Sequence, residues 1–289
     1  MIRYEFRKLF QQKIGLILII TCIVIASLLF TVSDQIKEDG SLRNNAVIIQ
    51  EYENIISDMS FEEAIVWLEQ EYDTQSERFQ KEYRETGDKS RMLITGSLVN
   101  LIDKYKYLAS YDDYIKSVLN QAKQMQKVAL FRDSRYVEEN TERTVKDFSP
   151  LLSVEVSRDA PMFIAASTSY KIGDYILFIS IIILVILIFG YEEGSDGKTL
   201  LWVQYKGKLP VFFAKLITTA ISVTVLIAVY YGVILLIGHY LYREIDQGVN
   251  FSAMIQSLPE FRSCTYIISV AEYLLLFFAL KIIKNLRRF

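Results

Sequence analysis

Long apolar runs constrain this chain more than any other feature of its sequence. Residues 14–32 contain no charged side chain over 19 positions. A helix crosses the hydrocarbon core of a bilayer with roughly 20 apolar residues, within a range of about 17–25. Four runs meet this requirement with few charges inside them, and they lie at residues 14–32, 174–191, 211–242 and 264–283. The sequence therefore predicts an all-α integral membrane protein with four transmembrane helices.

Charge is concentrated between the first two runs. The chain is 52% hydrophobic and 23% charged, and both values can hold only if the two kinds of residue are separated along the chain. Residues 33–174 carry 18 lysines and arginines against 26 aspartates and glutamates, a net charge of −8. This separation excludes a single soluble domain and a disordered chain. Two cysteines exclude a disulfide framework, and a single histidine removes most metal-dependent and acid–base chemistry.

Basic residues at the ends of the runs predict the orientation, since lysines and arginines that flank a span favour the cytoplasmic side. The helix at residues 1–13 carries four basic residues and one acid, and the tail at residues 284–289 carries three basic residues and no acid. We therefore expect a multi-pass protein of the cell membrane with both termini in the cytoplasm. The segment at residues 192–210 is then cytoplasmic, and the segments at residues 33–173 and 243–263 are extracellular.

The large extracellular segment is long enough for one folded domain, and local signals predict that it is mainly helical. Ser60 and Glu63 have the spacing of a capping box, in which each side chain accepts a hydrogen bond from the backbone amide of the other residue. Gly87 then marks the end of that helix. Apolar residues at three- and four-residue spacing predict further helices at residues 92–108 and 112–131.

The end of this domain has a different pattern. Leu152, Val154 and Val156 alternate with polar residues, and this alternation predicts a small β-hairpin. The tyrosines and phenylalanines of the domain have two interpretations, which are packing between helices and a ligand-binding surface. The acidic excess is likewise either a solvated face or a surface for a cationic peptide.

The sequence contains no recognisable catalytic or nucleotide-binding motif. Gly197-Lys198-Thr199 ends like a phosphate-binding loop, but Glu192 stands where that motif requires its first glycine. The metalloprotease, serine-hydrolase and thiol-redox motifs are also missing from the sequence. We therefore expect this chain to have no enzymatic activity, no cofactor of its own and no nucleic-acid partner.

Glu272 is the acidic residue inside the predicted fourth span. It follows Cys264 by eight residues, about 12 Å along a helix that rises about 1.5 Å per residue. An acidic side chain near the middle of a membrane costs on the order of 2.5–3.5 kcal/mol and usually faces protein or water. Glu272 is therefore a candidate for a transport pathway or an interhelical contact, and a plain hydrogen bond to a neighbouring helix is the alternative.

The loop after the second predicted span carries the most informative pattern. An acidic residue, a glycine, an apolar stretch, a basic turn with proline and a lysine follow one another, as Glu193, Gly197 (or Gly194), Leu200, Lys208, Pro210 and Lys215. This pattern resembles that of permease subunits of ABC-2 type exporters. The layout agrees with the Gram-positive members, which have a basic helix before the first span and a large outer domain after it. The family usually has six spans, and the four predicted here depart from that pattern, as expected of a truncated product, a fragment or a subunit shortened to four spans.

The resemblance implies that residues 192–210 form a coupling segment that docks on a separate ATP-binding-cassette subunit. A mostly apolar patch in a loop too short for its own core must lie on a membrane surface or in a partner's groove. The residues expected to couple are Glu192, Glu193, Gly197, Leu200, Leu201, Trp202, Lys208 and Pro210. The amphipathic helix at residues 1–13 is expected to lie along the membrane surface beside this segment.

The function implied by the resemblance is that of a permease subunit of an exporter, which moves a substrate across the cell membrane. ATP and Mg²⁺ would be bound by the partner ATPase subunit. A second permease chain, identical or different, would complete the pathway in the lipid bilayer. The alternative is a membrane-anchored sensor or accessory protein that binds a ligand or peptide through its helical outer domain.

Overall fold

A computed structural model describes residues 2–37, 42–89, 91–128, 134–190, 208–242 and 249–287. The α-helices in these ranges are α1 (Ile2–Gln11), α2 (Lys13–Lys37), α3 (Leu42–Ile56), α4 (Phe61–Thr86), α5 (Met92–Ala109), α6 (Tyr111–Met125), α7 (Arg135–Phe148), α8 (Met162–Thr168), α9 (Lys171–Gly190), α10 (Lys208–Tyr242) and α11 (Val270–Leu286). Short 3₁₀ helices lie at Ser149–Ser153, Ile255–Ser257 and Pro259–Phe261. The β structure of these ranges is one isolated antiparallel bridge between Met254 and Ser269. The predicted all-α class is therefore confirmed for the described part of the chain.

Three helices in the described ranges are long and apolar enough to cross a membrane. Their apolar stretches are Gly15–Val32 in α2, Lys171–Gly190 in α9 and Leu209–Tyr242 in α10. The shortest stretch has 18 residues and extends about 27 Å, close to the roughly 30 Å thickness of the hydrocarbon core. The first three predicted spans are therefore confirmed as helices of membrane-spanning length and composition, as in a membrane protein.

The fourth predicted span, at residues 264–283, is not confirmed. Helix α11 begins at Val270, six residues later than predicted, and has 17 residues. It is not among the described helices that are long and apolar enough to cross a membrane. The residues before it are extended: Ile255 N donates to Ile268 O (3.0 Å), and Val270 N donates to Ala253 O (2.9 Å). Their backbone groups are satisfied by pairing with an earlier segment, so a helix is not required.

The chain divides into two compact units. Unit 1 consists of Met1–Lys37, Ala166–Leu241 and Leu274–Phe289, and unit 2 consists of Glu38–Ala165 and Tyr242–Tyr273. The candidate spans belong to unit 1, apart from the last residue of α10. Unit 2 contains most of the predicted outer domain. It also contains the segment after α10, which the sequence predicts to be a separate loop.

Helix α4 begins and ends where the sequence predicts. The amide of Glu63 donates to Ser60 Oγ (3.3 Å), and the amide of Ser60 donates to Glu63 Oε2 (3.0 Å). At the other end Gly87 has a φ of 72°, in the left-handed region, and its amide donates to Tyr83 O. Both ends thereby satisfy backbone groups that have no partner within the helix. The predicted capping box and the predicted end are confirmed.

The core of unit 2 lies where α4 packs against α5. Leu68 on α4 and Leu98 and Tyr105 on α5 are fully buried. Burying one such side chain contributes about 1.5–3 kcal/mol. Helix α3 is joined to α5 by an ion pair in which Lys104 Nζ lies 2.7 Å from Glu53 Oε1. Buried aromatic side chains such as Tyr105 favour the packing interpretation of the aromatic residues in this unit.

The predicted β-hairpin is wrong. Pro150 opens the 3₁₀ helix Ser149–Ser153, and Ser153 Oγ donates to Pro150 O (2.7 Å). The chain then extends, and Val154 packs with Leu151 against α6 in a buried cluster. Helix α8 follows instead of a second strand. Val154 and Val156 lie on the packed side of a short extended segment, for which the described ranges contain no partner strand, whereas Leu152 is exposed in the 3₁₀ helix.

The segment after α10 is held in unit 2 by a buried polar residue. Gln256 is fully buried, and its Nε2 donates to the carbonyls of Cys264 (3.1 Å) and Tyr266 (2.8 Å). The hydroxyl of Tyr107 on α5 donates to the backbone carbonyl of Gln256. Burial raises the pKa of Tyr107 above its ordinary value, so this hydroxyl stays protonated as a donor. Because a buried amide needs such partners, Gln256 specifies one conformation of the segment.

Candidate functional site

The predicted coupling segment falls mostly outside the described residues. This applies to Glu192, Glu193, Gly197, Leu200, Leu201 and Trp202. Lys208 and Pro210 lie in the first turn of α10, and Leu209 between them is 68% exposed. The end of α9 and the start of α10 are therefore the described points to which the segment is attached.

The N-terminal helix is attached beside the end of α9. The chain leaves α1 at Gln12, whose Nε2 donates to Leu187 O (3.0 Å). Gly15 on α2 packs so closely here that a Cβ at its position would lie 2.3 Å from Leu187 Cδ1. Helix α1 and the start of α2 are thus joined to the end of α9 that leads into residues 191–207.

Helix α1 has the two-sided surface of a helix that lies on a membrane. Leu9 is buried against the protein, Ile2 and Phe10 expose apolar side chains, and Arg3 and Arg7 are exposed cations. Apolar and basic faces side by side are typical of an interfacial helix. The amphipathic helix predicted at residues 1–13 is therefore present as α1.

A group of polar side chains joins three helices of unit 1, and we call Asp174, Tyr231 and Lys281 the Asp174 cluster. Lys281 Nζ lies 2.5 and 2.6 Å from the two carboxylate oxygens of Asp174. The hydroxyl of Tyr231 donates to Asp174 Oδ1. Lys281 Nζ also lies 5.1 Å from the centroid of the Tyr231 ring, within the range of a cation–π contact. The cluster connects α9, α10 and α11.

The Asp174 cluster is partly withdrawn from solvent. The Lys281 side chain is 17% exposed and that of Asp174 40%, and Tyr231 is buried. An ion pair in such surroundings gives up hydration, so it is stable only when both charges are present and hydrogen-bonded. Here Lys281 and Tyr231 together satisfy both carboxylate oxygens. The arrangement holds a compensated negative charge at the end of an apolar helix bundle.

Gly173, next to the cluster, allows α9 and α10 to approach closely. The hydroxyl of Tyr230 donates to Gly173 O (2.8 Å). A Cβ on Gly173 would lie 2.8 Å from Tyr230 Oη and 2.5 Å from Tyr170 Cδ1. Tyr170 in turn donates to Ala26 O of α2 (3.2 Å). Two tyrosine hydroxyls thus link the three candidate spans at this end of unit 1.

A cavity of about 510 Å³ lies beside the Asp174 cluster. Its lining residues are Lys171, Asp174, Tyr175, Leu177, Phe178, Lys281, Lys284 and Asn285. Three lysines minus one carboxylate give this lining a net charge of +2. Asn285 is buried, and its Nδ2 donates to Lys281 O (2.8 Å), which holds the last turn of α11 beside the cavity. The volume is within the roughly 300–1,000 Å³ of small-molecule sites.

Sequence reasoning misses the Asp174 cluster, because Asp174 is readily explained as an acid at a helix N-terminus and Lys281 as a base that flanks an apolar run. The available signal is that opposite charges stand at the ends of two apolar runs. The ion pair also contradicts a detail of the predicted topology, in which these two residues lie at opposite faces of the membrane. Beyond Lys281, α11 continues only to Leu286, about 7.5 Å at 1.5 Å per residue, too short for a crossing.

Glu272 has a different position from the predicted one. It lies in the first turn of α11, exposed, and its Oε2 accepts hydrogen bonds from Ser269 N (2.8 Å) and Ser269 Oγ (3.0 Å). The amide of Glu272 donates to Ser269 Oγ (3.3 Å), which completes a second capping box. The expectation of an acid eight residues into a span is wrong, since the helix begins at Val270. The basis for a pathway or interhelical role of Glu272 is removed with it.

Helix α10 carries polar side chains on a buried face. Lys215, Thr218, Thr219 and Ser222 are all buried, and their spacing places them on one side of the helix. Thr219 Oγ1 donates to Lys215 O (2.8 Å). Lys215 Nζ lies 5.5 Å from the centroid of the Phe189 ring, near the end of α9. A polar strip therefore runs along α10 from the end at which residues 191–207 are attached.

No protein-family model, no curated protein and no solved structure matches the chain. Within the described ranges, no group of three or more histidine, cysteine, aspartate or glutamate side chains could hold a metal ion. A function has to follow from the candidate spans, the attachment of α1, the Asp174 cluster and the pattern at residues 192–210.

Proposed function

We propose that this chain is a permease subunit of an ABC exporter, which moves a substrate across the cell membrane with ATP hydrolysed by a separate ATP-binding-cassette subunit. The observation that carries the proposal is the hydrogen bond from Gln12 to Leu187 O (3.0 Å). It joins the amphipathic helix α1 to the end of α9, next to the predicted coupling segment. An interfacial helix and a docking segment at one end of the spans are what an ATPase subunit would need to engage.

Movement of the coupling segment would act on two candidate spans at once, because α9 and α10 flank it. These helices are joined again near the start of α9, where Tyr230 contacts Gly173 and Tyr231 contacts Asp174. From Gly190 back to Asp174 is 16 residues, about 24 Å. Two helices joined at two such levels would move as one body, which suits alternating exposure of a pathway between this chain and a second permease chain.

The docking role of residues 192–210 is tested by placing charge in the predicted contact. A central aromatic anchor contributes about 2 kcal/mol or more to an interface, and Trp202 with Leu201 is the candidate anchor. The full-length chain is purified with an affinity tag from membranes of its native host, and vanadate-sensitive ATP hydrolysis is measured in the purified fraction. Leu201→Asp with Trp202→Asp should reach the membrane in normal amounts and lose most of the co-purifying activity.

A matched control places the same two charges elsewhere. Val66 and Leu152 are exposed apolar residues of unit 2, so Val66→Asp with Leu152→Asp should leave the co-purifying activity unchanged. Full retention of ATP hydrolysis by the Leu201 and Trp202 variant would refute the docking role. Equal loss in the control would show that the charges act nonspecifically.

The alternative, a sensor or accessory protein, is favoured by a cavity of about 560 Å³ in unit 2. Arg158 holds one side of it, donating to the carbonyls of Ser57 (2.7 Å) and Met59 (3.1 Å). Asp159 and Asn250 add polar groups to the lining. The same purification separates the two functions, because a sensor of this kind would bring no ATPase with it in either the wild-type or the control chain.

A further inference from the structure

The cavity beside the Asp174 cluster contains positive charge that the cluster does not use. Lys281 is paired with Asp174 at 2.5 Å. Lys171 and Lys284 line the same cavity, both exposed, and neither has an ion-pair or hydrogen-bond partner within the described ranges. Two uncompensated ammonium groups, one on α9 and one on α11, therefore border a space of about 510 Å³.

Apart from the amide of Asn285, the remaining wall of the cavity is apolar or aromatic. Leu177 is buried beneath it, whereas Phe178 and Tyr175 are exposed, Tyr175 to 73%. Tyrosine is enriched where a membrane meets water, with its ring among the headgroups. Cations beside an exposed aromatic and apolar wall suit a molecule with an anionic head and a hydrocarbon tail.

We propose that this cavity binds the phosphate-bearing headgroup of an anionic lipid. Lys171 and Lys284 contact the phosphate, and the start of an acyl chain lies along Tyr175 and Phe178. The cavity lies at the depth of the lipid headgroups, since Lys171 begins the candidate span Lys171–Gly190 and the headgroup region adjoins the end of a span. The proposal rests on unit 1 lying in a membrane and is independent of the exporter function.

The Asp174–Lys281 ion pair determines which lysines of the cavity can bind a lipid phosphate. Asp174 engages Lys281 through both carboxylate oxygens, so the charge of Lys281 is already balanced. A lipid phosphate is then attracted by the lysines on either side. Bound there, it would bridge α9 and α11 and reinforce the connection that the Asp174 cluster makes between them.

The test is native mass spectrometry of the full-length chain in an uncharged detergent, with three probes added separately. The probes are dioleoyl-phosphatidylglycerol, dioleoyl-phosphatidylcholine and sn-glycerol 3-phosphate. A lysine near an anionic lipid is worth about fivefold in affinity. Lys171→Gln with Lys284→Gln should therefore weaken phosphatidylglycerol binding about 25-fold, and Lys171→Arg with Lys284→Arg should restore it.

The control removes the same charge from unit 2. Lys81 and Lys123 are exposed there, and Lys81→Gln with Lys123→Gln should bind phosphatidylglycerol as the wild type does. Equal weakening in this control would overturn the site in favour of general electrostatic attraction. Unchanged binding in the Lys171 and Lys284 variant would also overturn it.

The three probes distinguish the sources of phosphate. Saturable phosphatidylglycerol binding that is at least tenfold tighter than phosphatidylcholine binding supports an anionic lipid. Glycerol 3-phosphate that binds as tightly as phosphatidylglycerol would assign the cavity to a soluble phosphate and overturn the lipid proposal. Carbonate extraction of wild-type membranes checks the premise separately, because release of the chain would show that unit 1 is not embedded.

Discussion

The ammonium of Lys281 lies 2.5 Å from the carboxylate of Asp174, although 107 positions separate the two residues in the chain. The hydroxyl of Tyr231 donates to the same carboxylate. Three helices of unit 1 therefore meet at one negative charge. Since each helix contributes one member, removal of any member removes the contacts by which its helix joins this cluster.

Removal of one charge from this pair should destabilise the protein. Lys281→Met leaves the Asp174 carboxylate with Tyr231 alone, and breaking a fully buried pair costs about 3–5 kcal/mol. Because Asp174 is 40% exposed, we expect about 1–3 kcal/mol, measured as a lower unfolding midpoint in detergent. Asp174→Asn with Lys281→Met should recover most of the loss. A double variant as unstable as the single one would contradict this account. Arg135→Met, at the exposed ion pair with Glu139, serves as the control.

Gly173→Ala should separate α9 from α10. The added Cβ would lie 2.5 Å from the Tyr170 ring and 2.8 Å from Tyr230 Oη, and overpacking of this kind costs about 1–3 kcal/mol. Gly232→Ala is the matched control on α10, because a Cβ there meets no atom within 4 Å. The control should be neutral or up to about 1 kcal/mol more stable, as alanine is favoured over glycine in a helix. Equal unfolding midpoints for the two variants would rule out the close approach at Gly173.

The Asp174–Lys281 pair predicts that the end of α11 is on the extracellular side, level with the start of α9. Single cysteines at Gln11, Glu77 and Lys284, which are exposed positions, are introduced after Cys22 and Cys264 are replaced by serine. A membrane-impermeant thiol reagent on intact cells should label positions 77 and 284, and position 11 only after permeabilisation. Labelling of position 77 without labelling of position 284 would instead support the four-span topology, with the end of α11 in the cytoplasm. Labelling at position 11 in intact cells would reverse the orientation.

The features that the sequence predicts correctly are those with local signals. An uncharged apolar run of 19 residues is long enough to cross a bilayer as a helix, so α2 can be predicted from composition alone. The ends of α4 can be predicted as well, because the partners of Ser60, Glu63 and Gly87 lie only three or four residues away in the chain. The start of α11 cannot be predicted in this way. Residues 264–269 continue the uncharged run into α11, and periodicity alone does not separate a short uncharged extended segment from a helical one.

The site is harder to predict because its members meet only in three dimensions. Asp174 and Lys281 each have a sufficient local explanation, as a helix N-terminal acid and a flanking base. Nothing in their own surroundings predicts that one neutralises the other. The start of α11 also changes the interpretation of Glu272, since an acid in a first helical turn is a capping residue rather than an intramembrane charge.

The capping box of α4 should make the first turn of that helix sensitive to acid. Hydrogen bonds from the amide and then the hydroxyl of Ser60 lower the pKa of Glu63 below its ordinary value of 4.5. A group whose pKa is lower in the folded state contributes stability above its unfolded pKa, and this contribution is lost as the pH falls through the folded value. We therefore expect hydrogen-exchange protection of the Ser60 amide, corrected for intrinsic rates, to decrease between about pH 5 and about pH 3. Glu63→Gln should show weaker protection with little dependence on pH, because the side-chain amide does not titrate. The control is Glu62→Gln, one residue earlier and exposed, which should retain the wild-type pH profile. A Glu63→Gln profile that still falls with acid would assign the sensitivity to another group.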